Sequence, residues 1–198
     1  MQATQNASKQ ATALPNGFVA GLRSPKGVSR WYAARVPEGR ESATAERLRA
    51  ILPAGLLQDA FQITKERWFK RGGSWSLQAK PLFPGWLIVQ TDDPRSLAQE
   101  FSRLSFPVEL SSGDGRTYLP MSKEAQAFYA SHMDKGHCLR NSVGVLDQGR
   151  LRVIEGPLAG GEASVKKFDR HRRFCLVEGG GARAPFTESM PLDIPEAI

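Results

Sequence analysis

Cysteines and long apolar runs are scarce in this sequence of 198 residues, and their absence excludes two broad classes of protein. Cys138 and Cys175 are the only cysteines, too few for the disulfide framework of a small secreted domain, and we expect both thiols to be reduced. No stretch approaches the roughly 18 apolar residues that a membrane-spanning helix needs. Residues 1–26 also lack the apolar core of a secretory signal. We therefore expect a cytoplasmic protein that makes no membrane contact.

Residues that often hold metals or phosphates do not form a known signature in this chain. His132, His137 and Cys138 match no common zinc-binding spacing, and a fourth ligand is not evident. Glycines 179–181 are followed by Ala182 rather than by the Lys-Ser/Thr pair of a phosphate-binding loop, which indicates a turn. We expect a protein that is not an enzyme and that has no metal and no cofactor.

Positive charge is what the sequence has in excess, and it is concentrated in two places. The chain carries 27 Lys and Arg residues against 20 Asp and Glu residues, a net charge of +7. Residues 1–30 hold four basic and no acidic residues, and residues 166–173 hold five basic residues and one acidic residue. Residues 31–120 are nearly balanced, with twelve basic and ten acidic residues. This distribution favours an anionic partner, with nucleic acid first.

The hydrophobic pattern of residues 30–133 predicts a domain with both helices and strands. A flexible polar tail, residues 1–29, precedes it. Asp93 before Pro94, and Ser122 further on, are typical N-cap residues. Two helices on one face of a mostly antiparallel sheet make an α+β domain. The period predicts strands at residues 30–36, 61–69, 86–89 and 108–110, a hairpin turn at residues 71–75, and helices near residues 45–52, 94–104 and 122–132.

The end of the chain has a different period. Residues 134–147 show no sustained pattern and are predicted to be a linker. Alternation with a period of two then predicts strands at residues 150–154, 163–168 and 174–178, with a Gly/Pro loop between the first two. Short strands with tight turns favour a small barrel. We expect its core to contain Leu151, Val153, Leu158, Val165, Phe174 and Leu176.

Two stretches resemble parts of one protein family. The first predicted strand opens with Trp31-Tyr32, and residues 80–90 combine a rigid Phe-Pro-Gly turn with one buried strand (Lys-Pro-Leu-Phe-Pro-Gly-Trp-Leu-Ile-Val-Gln). This part resembles the amino-terminal (NGN) domain of the NusG family of transcription elongation and antitermination factors. Residues 149–177, with a Gly-Pro-x-x-Gly loop followed by a basic hairpin, resemble the KOW motif of the same family.

The resemblance implies a two-domain organisation and a function in transcription. It implies a tail (residues 1–29), an α+β NGN domain (residues 30–133), a linker (residues 134–147) and a small all-β SH3-like barrel, the KOW domain (residues 148–198). Within the family the chain is similar to the specialised paralogues of the LoaP type, because of residues 71–75, 80–85 and 169–173. Such a factor is a monomer that promotes processive antitermination. It docks on the clamp helices of RNA polymerase through the NGN domain and, by this resemblance, binds a nascent RNA hairpin through the KOW domain.

Three groups of residues are candidates for contacts with partners, the first by the same resemblance and the other two by their charge and aromatic character. Each group also has a plain structural interpretation: core side chains for the aromatic residues, a solvated turn for the hairpin, and a solvated face for the basic run. Polymerase binding is assigned to Trp31, Tyr32, Phe83, Pro84 and Trp86. RNA binding is assigned to Arg150, Arg152, Lys166, Lys167, Arg170, His171, Arg172 and Arg173. Contact with non-template DNA is assigned to Lys70, Arg71 and Trp75.

Two departures from the family pattern bear on the alternatives. Leu158 stands where housekeeping NusG proteins commonly have a Phe that helps to bind a ribosomal protein or the Rho terminator. Trp86 stands where Tyr is more usual. The alternative function is that of a housekeeping elongation factor that couples polymerase to the ribosome or to Rho. A ribosome-associated KOW protein is a further alternative, but it leaves residues 31–119 unexplained.

Overall fold

The computed structural model describes residues 15–18, 27–112, 117–181 and 185–195. Within these ranges the chain has a mixed α+β fold with three α-helices, one short 3-10 helix and several sheets. None of the helices in the described part of the chain is long and apolar enough to cross a membrane. The elements are, in order, β1 (Arg30–Arg35), α1 (Glu41–Ile51), β2 (Asp59–Phe61), β3 (Thr64–Arg71), β4 (Ser74–Pro81), β5 (Trp86–Thr91), α2 (Pro94–Ser102), β6 (Glu109–Leu110), α3 (Lys123–His132), β7 (Cys138–Leu139), β8 (Ser142–Asp147), β9 (Arg150–Glu155), the 3-10 helix (Glu162–Ser164), β10 (Val165–Asp169), β11 (Phe174–Gly179) and β12 (Phe186–Asp193).

Strands β1 and β5 form the centre of an antiparallel sheet with the order β2-β5-β1-β6. Their register runs from Arg30 opposite Thr91 to Arg35 opposite Trp86. Helices α1 and α2 cover one face of this sheet, as the sequence predicts. The core between them contains Tyr32, Ala34, Leu48, Leu87, Val89, Leu97 and Phe101.

The opposite face of the same sheet is covered as well. Trp31, Phe61 and Ile88 lie in a second core that continues through α3 into the carboxy-terminal strands. A strand that is buried on both faces favours an uninterrupted apolar run. This explains why β5 begins Trp-Leu-Ile-Val and why its first four residues are all buried.

The predicted helix starts are confirmed at two positions. The Asp93 side chain accepts a hydrogen bond from the backbone N–H of Ser96 (3.1 Å), with Pro94 as the first helical residue of α2. The Ser122 hydroxyl accepts one from the N–H of Ala125 (3.1 Å) at the start of α3. Each cap satisfies a backbone donor that a helix leaves without a partner in its first turn.

The strand predicted at residues 61–69 is two strands. Phe61 ends β2, which pairs with β5, whereas Thr64 begins β3, which pairs with β4 and β7. Residues 62 and 63 therefore carry the chain from one sheet to another. The hairpin between β3 and β4 is confirmed, and Gly72 and Gly73 in its turn both have positive φ, which glycine adopts without steric cost.

The carboxy-terminal strands form a five-stranded sheet with the order β10-β11-β12-β8-β9. Strand β12, which sequence reasoning missed, lies at its centre. Val153 and Leu158 are buried as expected, but in β11 the buried residues are Cys175 and Val177, whereas Phe174 and Leu176 are half-buried. The expected alternation in β11 was wrong by one residue. Because side chains alternate between the faces of a strand, such a shift exchanges the whole core-facing set.

The segment predicted to be a linker is largely ordered as strand. Strand β7 pairs with β3, and β8 pairs with β9 and β12, so residues 134–147 contribute to two sheets. Arg140 forms ion pairs with Glu66 (2.9 Å) and Asp134 (2.6 Å), and the N–H of Asn141 donates to Glu66 (2.7 Å). The expectation of an irregular linker is corrected, because strand pairing, these polar contacts and the buried side chains of Cys138 and Leu139 hold the segment.

Part of the predicted tail also belongs to the fold. The carbonyl of Gly17 accepts a hydrogen bond from the N–H of Ser122 (2.9 Å), and Phe18 forms a β-bridge with Met121 and packs on the core. The prediction of a flexible tail is therefore corrected for residues 15–18. The rest of residues 1–26 lies outside the described residues.

A buried polar network joins the amino-terminal part of the chain to the carboxy-terminal sheet. Lys65 on β3 and Glu188 on β12 form an ion pair of 2.7 Å, with side chains 4% and 5% exposed. Lys65 also donates to the carbonyl of Ser189 (2.6 Å), and the Tyr129 hydroxyl of α3 donates to Glu188 (3.0 Å). Burial lowers the pKa of Lys65, although the Glu188 carboxylate opposes this shift. Three elements from both parts of the chain are thus held in one arrangement.

Candidate nucleic-acid interface

Two elements that are distant in the sequence face each other across a cleft of about 510 Å³. One wall is the β3–β4 hairpin, which contributes Lys70 and Trp75. The other is the turn between β10 and β11, which contributes Arg170, His171 and Arg173. Residues 193–195, at the end of β12 and just after it, complete the lining. The structure therefore brings together residues that the sequence assigned to DNA contact and residues that it assigned to RNA binding.

Arg173 connects the two walls of this cleft. Its guanidinium lies 4.6 Å from the ring centroid of Trp68 and 5.1 Å from that of Trp75, both within the range of cation–π attraction. One of its nitrogens also lies 3.2 Å from a carboxylate oxygen of Asp193. Arg173 adopts a left-handed conformation (φ 54°), which is uncommon for a residue other than glycine. These contacts make Arg173 a bridge between walls, a role that the sequence did not reveal.

The other cations of the cleft have fewer contacts within the protein. Lys70 lies 5.7 Å from the centroid of the Trp75 ring. Arg170 and His171 are exposed and make no ion pair with the described residues. Arg172, beside them, is 79% exposed and lies 3.9 Å from Asp169. The turn therefore presents its basic side chains to solvent, where they can contact phosphates.

The remaining RNA-binding candidates lie elsewhere on the carboxy-terminal sheet. A groove of about 460 Å³ is lined by Arg150 from β9 and by Lys166 and Lys167 from β10. These strands are the two edges of the five-stranded sheet, so the sheet curls enough for them to share one groove. Lys166 is paired with Glu178 (2.7 Å), and Arg152 is exposed on β9. The structure thus divides the eight predicted RNA-binding residues into two groups.

Most of the residues predicted to dock on polymerase lie inside the fold. Trp31, Tyr32 and Trp86 are at most 7% exposed. Phe83 is half-buried, and its ring contacts that of Tyr129 edge-on, with the centroids 6.0 Å apart. Of the five predicted residues, Pro84 is the exposed one. The expectation that Trp31, Tyr32 and Trp86 present their rings at the surface is corrected: Trp31 and Tyr32 lie in the cores on the two faces of the sheet, and Trp86 is 7% exposed.

A second groove, of about 560 Å³, opens where β1 ends and β5 begins. The turn that leads into β5 is held there by Gly85, whose N–H donates to the buried carboxylate of Glu41 (2.7 Å) and whose carbonyl accepts from the N–H of Val36 (3.0 Å). The charged groups at its rim include Arg35 and Glu109. Sequence reasoning found Pro84 and Trp86 here but missed the others. The apolar lining consists of Val36, Pro37, Pro84, Trp86, Pro107 and Val108.

The two histidines that were weighed as metal ligands have other contacts, and Cys138 is a buried free thiol. His137 stacks on Phe61 with the ring centroids 3.8 Å apart, and burial lowers its pKa. His132 makes a hydrogen bond with the carbonyl of Phe128 (2.7 Å). In the part of the chain that the structure describes, no three residues of the His, Cys, Asp or Glu type are grouped so that they could hold a metal ion.

Comparison with known proteins adds no family assignment. No model of a protein family matches this chain, and a search of curated proteins finds no match. The resemblance to the NusG family therefore depends on the residues that carry it, namely those that open β1, those of the Phe-Pro-Gly turn with β5, and those of the Gly/Pro loop with the basic turn.

Proposed function

We propose that this protein is a specialised transcription elongation factor of the NusG type that promotes processive antitermination. It docks on the clamp helices of RNA polymerase through its NGN-like part and binds nascent RNA through its KOW-like part, in the cytoplasm and without catalysis. Docking changes termination only if the factor binds the elongating state of polymerase better than the paused state. The factor therefore acts by population shift rather than by chemistry.

The groove at the start of β5 supports the docking half of this proposal. Its lining is apolar at Val36, Pro84 and Val108, with Trp86 buried in its wall and charged residues at the rim. An apolar centre within a charged rim is the usual arrangement of a protein interface. The single observation that carries the proposal is that the Phe-Pro-Gly turn and β5, which carry the family resemblance, also build this groove.

The basic turn supports the RNA-binding half. Arg170, His171 and Arg172 project from a turn whose shape is held by the Asp169 carboxylate, which accepts from the N–H of Arg172 (2.9 Å). Lys and Arg side chains are common donors to phosphate oxygens in protein–nucleic acid complexes. A short basic turn on a firm sheet can therefore contact the phosphates of a nascent RNA.

The burial of Leu158 disfavours the housekeeping alternative. Leu158 occupies the position of the Phe that contacts a ribosomal protein or Rho in housekeeping relatives, but it is only 1% exposed. Its N–H donates to the hydroxyl of Ser142 (3.2 Å), which anchors the loop. A side chain in this state is not available to either partner, so we propose neither contact.

A transcription assay on a terminator template, with and without the leader RNA of the neighbouring operon, tests the proposal. The full chain should increase read-through only when the leader is present, and it should shift that leader in a gel. Unchanged read-through would refute antitermination, whatever the gel shows. The full chain is used because its two parts share one core.

A groove variant separates the two halves of the proposal. Pro84→Glu places a charge at the exposed residue of the apolar lining and should lower polymerase affinity about tenfold or more without changing RNA affinity. Ile51→Glu is a matched control, because Ile51 is an exposed apolar residue (48%) on α1 that does not line the groove. Equal polymerase binding by the two variants would show that docking does not use this groove.

A further inference from the structure

The two basic elements of the cleft were assigned by sequence to two different ligands, but they occupy one site. Lys70 lies opposite Trp75 in the hairpin register, and both line the same 510 Å³ cleft as Arg170, His171 and Arg173. A ligand that reaches the turn of residues 170–173 from this side therefore also meets the hairpin. Separate DNA-binding and RNA-binding surfaces would not share a lining in this way.

The charge of the cleft suits a phosphate backbone. Its described lining contains three permanent cations, Lys70, Arg170 and Arg173, together with the titratable ring of His171. One carboxylate, that of Asp193, is among the described lining residues, and it is already paired with Arg173. Lys70 on one wall and Arg170 on the other remain for a polyanion that lies between them. A positive groove beside an aromatic side chain is typical of sites for single-stranded nucleic acid.

The walls of the cleft are also held in place before any ligand arrives. Arg173 lies against Trp68 and Trp75, and the indole N–H of Trp68 donates to the Asn141 side chain (2.9 Å). The buried pair of Lys65 with Glu188 joins the same two sheets. A site whose walls are already in position loses less conformational entropy when it binds than flexible surface lysines would.

We propose that this cleft is one composite site for the phosphate backbone of a single-stranded RNA segment. Lys70 contacts the strand from the hairpin, and Arg170 and His171 contact it from the turn. The inference rests on the proposed RNA binding and deepens it, because it places the RNA between the two halves of the protein rather than on the carboxy-terminal sheet alone. RNA captured here is therefore held against the polymerase-docking half.

Fluorescence anisotropy of the full chain with a fluorescein-labelled twelve-nucleotide oligouridylate tests this site. Lys70→Ala and Arg170→Ala should each weaken binding about three- to tenfold at low salt. Each should also reduce the slope of log affinity against log salt by about 0.7, the value for one phosphate contact on a single strand. Lys123→Ala and Arg95→Ala remove exposed cations from α3 and α2 and serve as matched controls. They should leave affinity within about twofold of the wild type.

The outcomes separate this inference from the proposed function. If Arg170→Ala weakens binding but Lys70→Ala matches the wild type, the composite site is overturned and RNA binding by the turn stands. If the wild type binds neither the oligouridylate nor the leader RNA, the composite site and the proposed RNA binding are both overturned. If the matched oligodeoxyuridylate binds and the oligouridylate does not, the cleft serves a DNA strand, and its assignment to RNA is overturned.

Discussion

Loss of the Glu188 charge should be among the most damaging conservative substitutions in this chain. Glu188→Gln keeps the size of the side chain and an oxygen that can accept from Tyr129, but it removes the partner of the buried Lys65 ammonium. Removing one member of a buried ion pair typically costs about 3–5 kcal/mol, because the remaining charge stays away from water. The lysine can instead release its proton. At pH 7 this costs about 4.6 kcal/mol, given an ordinary pKa of about 10.4 and about 1.36 kcal/mol per pKa unit.

Urea denaturation followed by circular dichroism measures this loss. We expect the free energy of unfolding to fall by about 3–5 kcal/mol at pH 7, which is a large part of the roughly 5–15 kcal/mol of a typical domain. The deficit should shrink as the pH rises towards 10, because releasing the proton from Lys65 then costs less. The double variant Lys65→Met/Glu188→Gln removes both charges and should recover most of the loss.

An exposed ion pair of equal length provides the control. Lys166 and Glu178 are also 2.7 Å apart, but their side chains are 56% and 55% exposed. Glu178→Gln should therefore cost less than about 1 kcal/mol. If Glu188→Gln is as mild as Glu178→Gln, the pair between β3 and β12 is solvated in solution. The rigid connection between the two halves, on which the composite cleft depends, would then be refuted.

Three further predictions concern pH, reactivity and backbone strain. Burial lowers the pKa of His137, so as the pH falls its ring is protonated in the unfolded chain before it is protonated in the folded protein. The free energy of unfolding, measured by urea titration, should therefore fall as the pH drops through about 6.5. His137→Asn should remove this pH dependence, and Asn tolerates the left-handed backbone at this position (φ 57°). Burial raises the pKa of Cys175 to about 12, so a thiol reagent should modify it only after denaturation, and rapid labelling in native buffer would contradict its place in the core. Gly17→Ala should destabilise the fold by roughly 1–3 kcal/mol, because φ is 90° and a new Cβ would lie 2.4 Å from that of Ala125. Gly39→Ala is the control: φ is also positive there, but a new Cβ would meet open space. It should lower the free energy of unfolding by less in the same urea titration.

The elements that local chemistry specifies were predicted well. The caps at Asp93 and Ser122, the glycine turn of the β3–β4 hairpin and the apolar run of β5 each depend on residues within a few positions of one another. Strand β12 was missed because residues 186–193 show little alternation and include Pro191. Its place at the centre of a sheet depends on pairing with β11 and with β8, more than forty positions earlier in the chain.

The candidate site was predicted in its parts but not in its arrangement. The basic residues of the 170–173 turn and the cation–aromatic pair of the hairpin were found from composition and spacing. Trp68 and Asp193 were not found, because nothing local distinguishes them from ordinary strand residues. Their role depends on the approach of Arg173 across the cleft.

The sequence by itself determined that this chain is a basic α+β protein with a β-rich end, because charge, turn chemistry and hydrophobic period are local properties. The tertiary structure decided which aromatic residues are available at the surface. Trp31 is a core residue because α3 and the carboxy-terminal strands cover the second face of the β1–β5 sheet, whereas Trp86 is buried in the wall of the groove at the start of β5. It also decided that the hairpin and the basic turn form one cleft, because contacts between distant residues hold the two parts of the chain together. The ion pair of Lys65 with Glu188, for example, joins residues that are 123 positions apart in the sequence. Contacts at such separation depend on how the sheets assemble, which no local pattern encodes.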